Sequence, residues 1–272
     1  MDFVRRFREM EAVKPKTQEF LYFLLWTAEQ LFRPTFRNLT DSYEQWIYRN
    51  GLHRQLAKLE KQELVELMAG VDNQRLCRLT EAGRLQALGG RDPEAQWARK
   101  WDGRWRLVVF DVPRKFNSRR DRLRRFLRGR AVGCLQGSLW VTPDPLTVER
   151  RLLEDEGANV RSLILFDAVP CAGERDAQIV SAAWDFIRIN AAYGSYLEVL
   201  EQRPAGSVRD DAAARKLQLW GRAERESWQQ AVWRDPLLPD RLLPEGYLGR
   251  RAWRRRIKAL AEAGAQVVGF GK

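Results

Sequence analysis

Basic side chains at helical spacing are the residues of this chain that are best suited to act on a partner. Three of them recur at i, i+4 and i+7 within the segment 52–62: Arg54, Lys58 and Lys61. Leucines recur with the same spacing on the opposite side: Leu52, Leu56 and Leu59. On a helix, the leucines would hold the segment to its own domain, and the cations would face outward toward the phosphates and base edges of a duplex. The spacing therefore predicts a DNA-reading helix.

The predicted DNA-contacting set extends to both sides of this helix. Recognition helices contact bases mainly through their N-terminal residues, so the start of the segment would enter the major groove first. Beside the tip of a predicted hairpin, a side chain could reach phosphate or the minor groove. The predicted DNA-binding residues are Arg49, Asn50, His53, Arg54, Gln55, Lys58, Lys61, Asn73 and Arg75. An ordinary solvated amphipathic helix has the same spacing of charges, and this alternative stays open.

The elements around the basic helix predict a winged helix-turn-helix domain over residues 1–90. An amphipathic helix is expected from Thr17 to Leu31, followed by a short helix near residue 46. After the basic helix, two short apolar runs joined by turn-forming residues predict a β-hairpin over 64–79, which would be the wing. Thr80 suits the N-cap of the next helix.

The middle of the chain, residues 91–171, predicts a ferredoxin-like α/β sandwich. Three apolar runs are typical of strands: Leu107–Phe110, Cys134–Thr142 and Leu163–Phe166. A basic helix from 118 to 130 and a helix from 146 to 156 would alternate with them.

Residues 172–272 predict a mostly α-helical domain for effector sensing and dimerisation. Three helices are expected there: Ala177–Gln202, Asp211–Trp233 and Arg250–Ala263. Proline-containing segments separate them. The fold class expected for the whole chain is therefore multi-domain α+β.

The charge balance favours a polyanionic partner. The 272 residues include 48 Lys and Arg against 36 Asp and Glu, which gives a formal net charge of +12. Cations placed against phosphates release condensed counterions, so nucleic acid is the first candidate. The same charge could instead serve only to keep the protein in solution.

The absence of several sequence motifs reduces the number of possible function classes. No apolar run is long enough to span a membrane, and the segment Met1–Arg8 lacks the features of a secretory signal, so a cytoplasmic protein without a membrane partner is expected. The three cysteines are far apart and indicate neither disulfides nor a zinc site. No phosphate-binding loop or nucleophile motif occurs, so the expectation is a non-enzyme that needs no cofactor.

Motifs in chain order resemble the PaaX family of phenylacetate-pathway transcriptional repressors. They are Trp101–Pro113 and Leu135–Pro143 in the middle, Asp235–Pro239 and Gly249–Ala252 near the end, and Leu76–Gly83 at the end of the predicted wing. Gly246-Tyr247-Leu248-Gly249 stands where that family usually has a tryptophan-proline-glycine ending. The resemblance implies a homodimeric repressor that binds a palindromic double-stranded DNA operator and is released by a small-molecule effector, an aryl-CoA thioester such as phenylacetyl-CoA. It identifies no effector-binding residues.

The central segment also resembles the small ferredoxin-like subunit of CRISPR adaptation complexes, which implies a metal-dependent nuclease as an alternative. In that resemblance Asp111 would ligate the metal, and Gln136-Gly137-Ser138 matches part of the second strand. Asp167, at the end of another strand, is the second candidate ligand. Such hydrolysis needs several carboxylates that converge on one cation. A non-specific nucleic-acid scaffold is the third function that stays open.

The arginine-rich helix from 118 to 130 has three interpretations. Its side chains could contact phosphates that flank the operator, or they could pair with the phosphates of a CoA thioester. They could also form a solvated face without a partner.

Overall fold

The computed structural model describes residues 53–69, 75–87, 91–111, 117–146, 162–171, 173, 175–208 and 210–267. The predicted helices before residue 53, most of the predicted helix 146–156, and Arg49, Asn50 and Asn73 lie outside these residues. The chain forms two compact units. The first comprises Met1–Asp92, Gly194–Gln229 and Arg250–Lys272, and the second comprises Pro93–Tyr193 and Gln230–Gly249. The division into domains at residues 90 and 171 stays a prediction.

The N-terminal part of the first unit contains a helix and a hairpin. Its elements are α1 (His53–Lys61), β1 (Val65–Ala69), β2 (Arg75–Leu79) and α2 (Glu81–Ala87). The strands pair antiparallel, with Val65 opposite Leu79 and Ala69 opposite Arg75. The basic helix and the hairpin predicted from the sequence are both confirmed.

Short-range contacts fix the hairpin to the helices on either side. The backbone N–H of Leu64 donates to the carbonyl of Leu59 (2.9 Å), which closes the C-terminus of α1. The Thr80 hydroxyl donates to the Glu63 carbonyl (2.7 Å) and accepts from the backbone N–H of Gly83 (3.0 Å). Thr80 is therefore the N-cap of α2, as predicted.

The second unit is built on a four-stranded antiparallel sheet. Its first elements are α3 (Pro93–Ala98), β3 (Trp105–Asp111), α4 (Asn117–Gly129), β4 (Gly133–Gln136), β5 (Leu139–Thr142) and β6 (Ser162–Ala168). The strand order is β4-β5-β3-β6, and each strand is antiparallel to its neighbours. Helix α4 covers one face, where the buried side chains are Val108, Phe110, Leu123, Leu127 and Trp140.

The segment Cys134–Thr142, predicted as one strand, is a hairpin. Gln136 of β4 pairs with Leu139 of β5 across a turn at Gly137 and Ser138. Gly137 has φ +51°, a conformation that glycine adopts without steric cost. The apolar alternation along this segment fits a single strand, but this glycine lets the chain reverse, and the prediction was wrong.

The opposite face of the sheet is covered by α5 (Asp176–Ala183) and by the segment that follows Asp235. Trp105, Val141, Val180, Leu238 and Leu242 form this buried cluster. The indole N–H of Trp105 donates to Asp176 Oδ1 (2.8 Å), which ties the sheet to the start of α5.

The helix predicted from Ala177 to Gln202 is two helices, α5 and α6 (Phe186–Glu201). Trp184 leaves the helical conformation with φ −135° and ψ 136°. The next residue, Asp185, accepts the backbone N–H of Arg188 through Oδ1 (2.9 Å) and so caps α6. Helical periodicity alone does not reveal this interruption.

The remaining elements match the predicted C-terminal helices. Helix α7 spans Asp211–Arg234, a short 3-10 helix spans Asp240–Leu242, and α8 spans Gly249–Val267. In the first unit, parts of α6, α7 and α8 contribute the buried side chains Tyr196, Leu200, Leu217, Trp220, Trp228, Trp253 and Leu260. The described residues thus form a mixed α/β protein with a four-stranded antiparallel sheet, a two-stranded hairpin and several helices.

Candidate nucleic-acid interface

Helix α1 exposes the two lysines of its C-terminal half and buries the leucine between them. Lys58 and Lys61 are exposed, whereas Leu59 is 0% exposed. The helix has no acidic residue in its first turn, and both lysines are in its last turn, where the helix dipole favours positive charge. The amphipathic spacing in the sequence therefore corresponds to a cationic outer side.

The other predicted DNA-contacting residues in the described chain sit at two places. The backbone of His53, Arg54 and Gln55 forms the first turn of α1. Arg75 is the first residue of β2 and lies opposite Ala69 across the hairpin. The helix and the hairpin are adjacent because only three residues separate α1 from β1.

The two carboxylates of the nuclease alternative lie at opposite ends of neighbouring strands. Asp111 pairs with Ser162, whereas Asp167 pairs with Arg106. The offset of five residues from Arg106 to Asp111 corresponds to about 17 Å along an extended strand. Asp167 instead forms an ion pair with the Arg106 Nε (3.5 Å). These two side chains do not converge on one cation, and the described residues contain no cluster of three potential metal ligands.

Helix α4 uses some of its arginines within its own domain. The Arg128 guanidinium stacks over the Trp140 ring at 5.6 Å, and Arg130, just after the helix, lies over the Phe126 ring at 5.5 Å. Arg122 and Arg125 are exposed. A cation on an aromatic face gains electrostatic and packing energy, so part of this basic segment is structural.

Sequence reasoning missed a buried charged cluster in the first unit. Glu224 and Arg256 are 0% and 1% exposed, and the Arg256 Nε donates to Glu224 Oε1 at 2.9 Å. The Tyr196 hydroxyl donates to the same oxygen (2.6 Å). The Arg256 guanidinium lies 4.8 Å from the ring centroid of Trp228 and 5.7 Å from that of Trp253. Charged residues are almost never fully buried without a partner, so these two look like surface residues in the sequence.

Burial controls the titration of this cluster. Desolvation raises the pKa of Glu224 above its usual value, and the adjacent Arg256 acts in the opposite direction. Burial also raises the pKa of Tyr196 well above that of a free tyrosine.

A second missed cluster lies in the second unit, around Asp235, the first residue of the motif Asp235–Pro239. The Tyr193 hydroxyl donates to Asp235 Oδ2 (2.6 Å), and the Tyr247 hydroxyl donates to the same oxygen. Asp235 Oδ1 accepts the backbone N–H of Leu237 (2.8 Å). Burial and the Asp235 charge raise the pKa of both tyrosines. The signal available in the sequence was the run Asp235-Pro236-Leu237-Leu238-Pro239.

The arrangement defines a class of protein: a cationic helix with a hairpin, a four-stranded antiparallel sheet flanked by helices, and a C-terminal set of long helices. Residues 98–180 match the model of the PaaX protein central Cas2-like domain, and residues 184–267 match that of the PaaX-like protein C-terminal domain. The chain therefore belongs to the PaaX family. Family membership confirms the resemblance found in the sequence and indicates a PaaX-like transcriptional regulator.

The fold is also similar to that of a solved structure, the uncharacterized protein Rv0674 from Mycobacterium tuberculosis. The two chains share 19% sequence identity at a TM-score of 0.52, over 90% of this chain and 94% of the other. Among curated proteins, none matches the chain. Within the described residues, none of the helices combines the length and the apolar character that a membrane span requires.

Proposed function

We propose that the chain is a sequence-specific DNA-binding regulator that acts in the cytoplasm as a homodimeric repressor, with α1 as its reading helix. The observation that carries this proposal is the orientation of α1 in a PaaX-family chain. Lys58 and Lys61 face solvent while Leu59 is fully buried. A helix anchored on one side and cationic on the other can enter a major groove without losing its own packing.

The proposed architecture has a winged helix-turn-helix at 1–90, a ferredoxin-like sandwich at 91–171 and a helical domain at 172–272. The hairpin β1–β2 directly after α1 supports the first assignment. The strand order β4-β5-β3-β6, with α4 between β3 and β4, supports the second, because it is the order of a βαββαβ sandwich.

The proposed effector is a small molecule such as an aryl-CoA thioester, and the proposed assembly is a dimer that places two reading helices on successive half-sites. Two apolar side chains of β6 support self-association, since Ile164 and Phe166 are 49% and 48% exposed. Release from DNA requires that the effector bind the two dimer geometries with different affinity. Phenylacetyl-CoA should then lower operator affinity, with free CoA as its control.

The test is a mobility-shift titration of a duplex that carries the region upstream of the protein's own gene, with unrelated DNA as competitor. The double variant Arg54→Ala/Lys58→Ala should lose about 1–3 kcal/mol of binding free energy for each base contact removed. The matched control is Lys100→Ala/Lys216→Ala, which removes the same charge from two exposed positions outside α1, one between α3 and β3 and one in α7.

Two results would contradict the proposal. Unchanged affinity and salt dependence in the Arg54/Lys58 variant would remove α1 from the interface. Equal competition by unrelated DNA would instead indicate a non-specific scaffold, whose binding depends on charge and not on base sequence.

A further inference from the structure

Helix α8 bears a cationic surface in addition to the one on α1. The proposed role of α1 does not explain this second surface. Five basic residues on its first two and a half turns are all exposed: Arg250, Arg251, Arg254, Arg255 and Lys258. On a helical wheel they fall on one side, because their spacing is i, i+1, i+4, i+5 and i+8. The buried residues of the same helix lie on the other side: Ala252, Trp253, Arg256, Leu260 and Ala263. We call the five exposed residues the α8 basic face.

The charges of the α8 basic face oppose the stability of the helix that bears them. The first turn of α8 contains no acidic residue and two arginines, although the N-terminal end of a helix dipole favours negative charge. Like charges at i and i+4 also repel, as they do for Arg250 with Arg254 and for Arg254 with Lys258. This distribution is unfavourable for the free protein and favourable for binding a polyanion.

The residues of the α8 basic face differ in their ion pairing. Arg255 pairs with Glu201 (3.0 Å), and Lys258 lies 4.0 Å from Glu262. Arg251 and Arg254 form no ion pair within the part of the chain that the structure describes. At least two guanidinium groups are therefore available to an external anion.

The inner side of α8 fixes the direction in which these arginines project. Three consecutive residues are arginines, and only Arg256 turns inward, where it binds Glu224 and lies over Trp228. Its neighbours Arg254 and Arg255 lie on the other side of the helix and are exposed. The orientation is thus set before any ligand binds, which lowers the entropic cost of binding.

We propose that the α8 basic face binds the phosphate backbone of duplex DNA beside the site read by α1. The inference rests on the proposed DNA-binding function, and it adds a second, sequence-independent contact surface from the C-terminal helices. Both helices belong to the same compact unit. The face suits phosphates because arginine pairs with them in a bidentate manner, and a row of cations matches a row of regularly spaced anions.

The experiment measures DNA binding against salt for the full-length protein. The variant Arg251→Gln/Arg254→Gln/Lys258→Gln removes three exposed cations, and its control Arg188→Gln/Arg215→Gln/Lys216→Gln removes three exposed cations from α6 and α7. The probe is a short duplex of arbitrary sequence, so that the result does not depend on base reading. A second probe carries the protein's own upstream region.

The α8 variant should bind the arbitrary duplex with a shallower salt dependence. Each lost phosphate contact lowers the slope of log K against log salt by about 0.9, so three lost contacts lower it by about 2 to 3 and weaken binding at least about tenfold at ~100 mM salt. The preference for the upstream region over arbitrary DNA should stay the same. Arg251→Lys/Arg254→Lys, which keeps both charges, should retain most of the slope.

Each outcome separates this inference from the proposed function. Specific binding of the upstream region with an unchanged slope in the α8 variant would overturn the inference alone. If the wild-type protein bound the upstream region no better than arbitrary DNA, the proposed function would be overturned. The salt slope on the arbitrary duplex would still test whether the α8 basic face contacts DNA. Equal loss in the control variant would show that only net charge matters, and this result would also overturn the inference. Melting curves verify that both variants are folded.

Discussion

Replacement of Arg256 by Met should be among the most damaging single changes in the C-terminal helices. Arg256 is 1% exposed and is the cationic partner of Glu224, which is completely buried. The methionine side chain can fill much of the space of the arginine stem, so the loss is mainly electrostatic. Breaking a buried ion pair from one side costs about 3–5 kcal/mol, because the remaining charge has no compensation. Since 1 kcal/mol corresponds to roughly 2–4 °C in a domain of comparable size, the melting temperature should fall by about 6–20 °C.

The neighbouring residue provides the control. Arg255→Met removes the same side chain from the adjacent position, where Arg255 pairs with Glu201 at the surface (3.0 Å). Surface pairs contribute about 0–1 kcal/mol, so this variant should melt close to the wild type. Denaturant unfolding followed by circular dichroism measures both variants.

A double variant tests whether the unpaired carboxylate of Glu224 causes the loss of stability. Glu224→Gln in the Arg256→Met background removes the uncompensated carboxylate and leaves an oxygen that can accept from the Tyr196 hydroxyl. This change should restore a large part of the lost stability. If the double variant were no more stable than Arg256→Met, or if Arg256→Met were as stable as Arg255→Met, the assignment of a buried ion pair would be refuted.

The pH dependence of the Arg256→Met variant follows from the pKa of Glu224. Burial raises this pKa in the folded state, and Arg256 is the main group that lowers it again, with a smaller contribution from the charge of Arg225, so removal of Arg256 raises the folded pKa further. A carboxyl whose folded pKa lies above its unfolded pKa binds more protons when folded, so stability decreases as the pH rises through the folded pKa. The deficit of the variant relative to the wild type should therefore be larger at pH 7 than at pH 5.

Three further changes have defined expectations. Asp235→Asn should lower the free energy of unfolding by about 1–3 kcal/mol in a denaturant titration, because a buried oxygen that accepts two tyrosine hydroxyls loses its charge. Gly83→Ala should cost about 1–3 kcal/mol, measured in the same way, because the added Cβ would clash with the Leu64 carbonyl oxygen and push α2 away from the start of the hairpin. The hydrogen bond from Arg106 lowers the pKa of Asp102 to about 2, and NMR titration of Arg106→Gln should find that pKa closer to its ordinary value.

Local patterns were enough to predict the elements that position α1. The leucine spacing predicted the helix, and two short apolar runs around a turn predicted the hairpin that β1 and β2 form. Thr80 was recognisable as a cap because its side chain acts on a backbone group only three residues away. Each of these features depends on contacts between residues that are close in sequence.

Features that depend on distant contacts could not be predicted in this way. The separation of Asp111 from Asp167 is set by the register between β3 and β6, which no local pattern determines. Similarly, Glu224 is buried because Arg256 meets it from a different helix, 32 residues away in sequence. The sequence shows a charged residue on each helix but not that they face each other.

The contributions of the two sides of α8 should be separable by experiment. The inner side contributes to stability, and the outer side is proposed to bind DNA. Apolar side chains flank Arg256 on the inner side and define the rotation of the helix without it: Ala252, Trp253, Leu260 and Ala263. Arg256→Met adds one more apolar residue to that side, so the helix has no reason to turn its outer arginines inward. We therefore expect this variant, at a temperature where it is folded, to bind the arbitrary duplex with the wild-type salt slope despite its lower stability. A shallower slope would mean that the ion pair with Glu224, rather than the apolar stripe, determines which arginines reach the DNA.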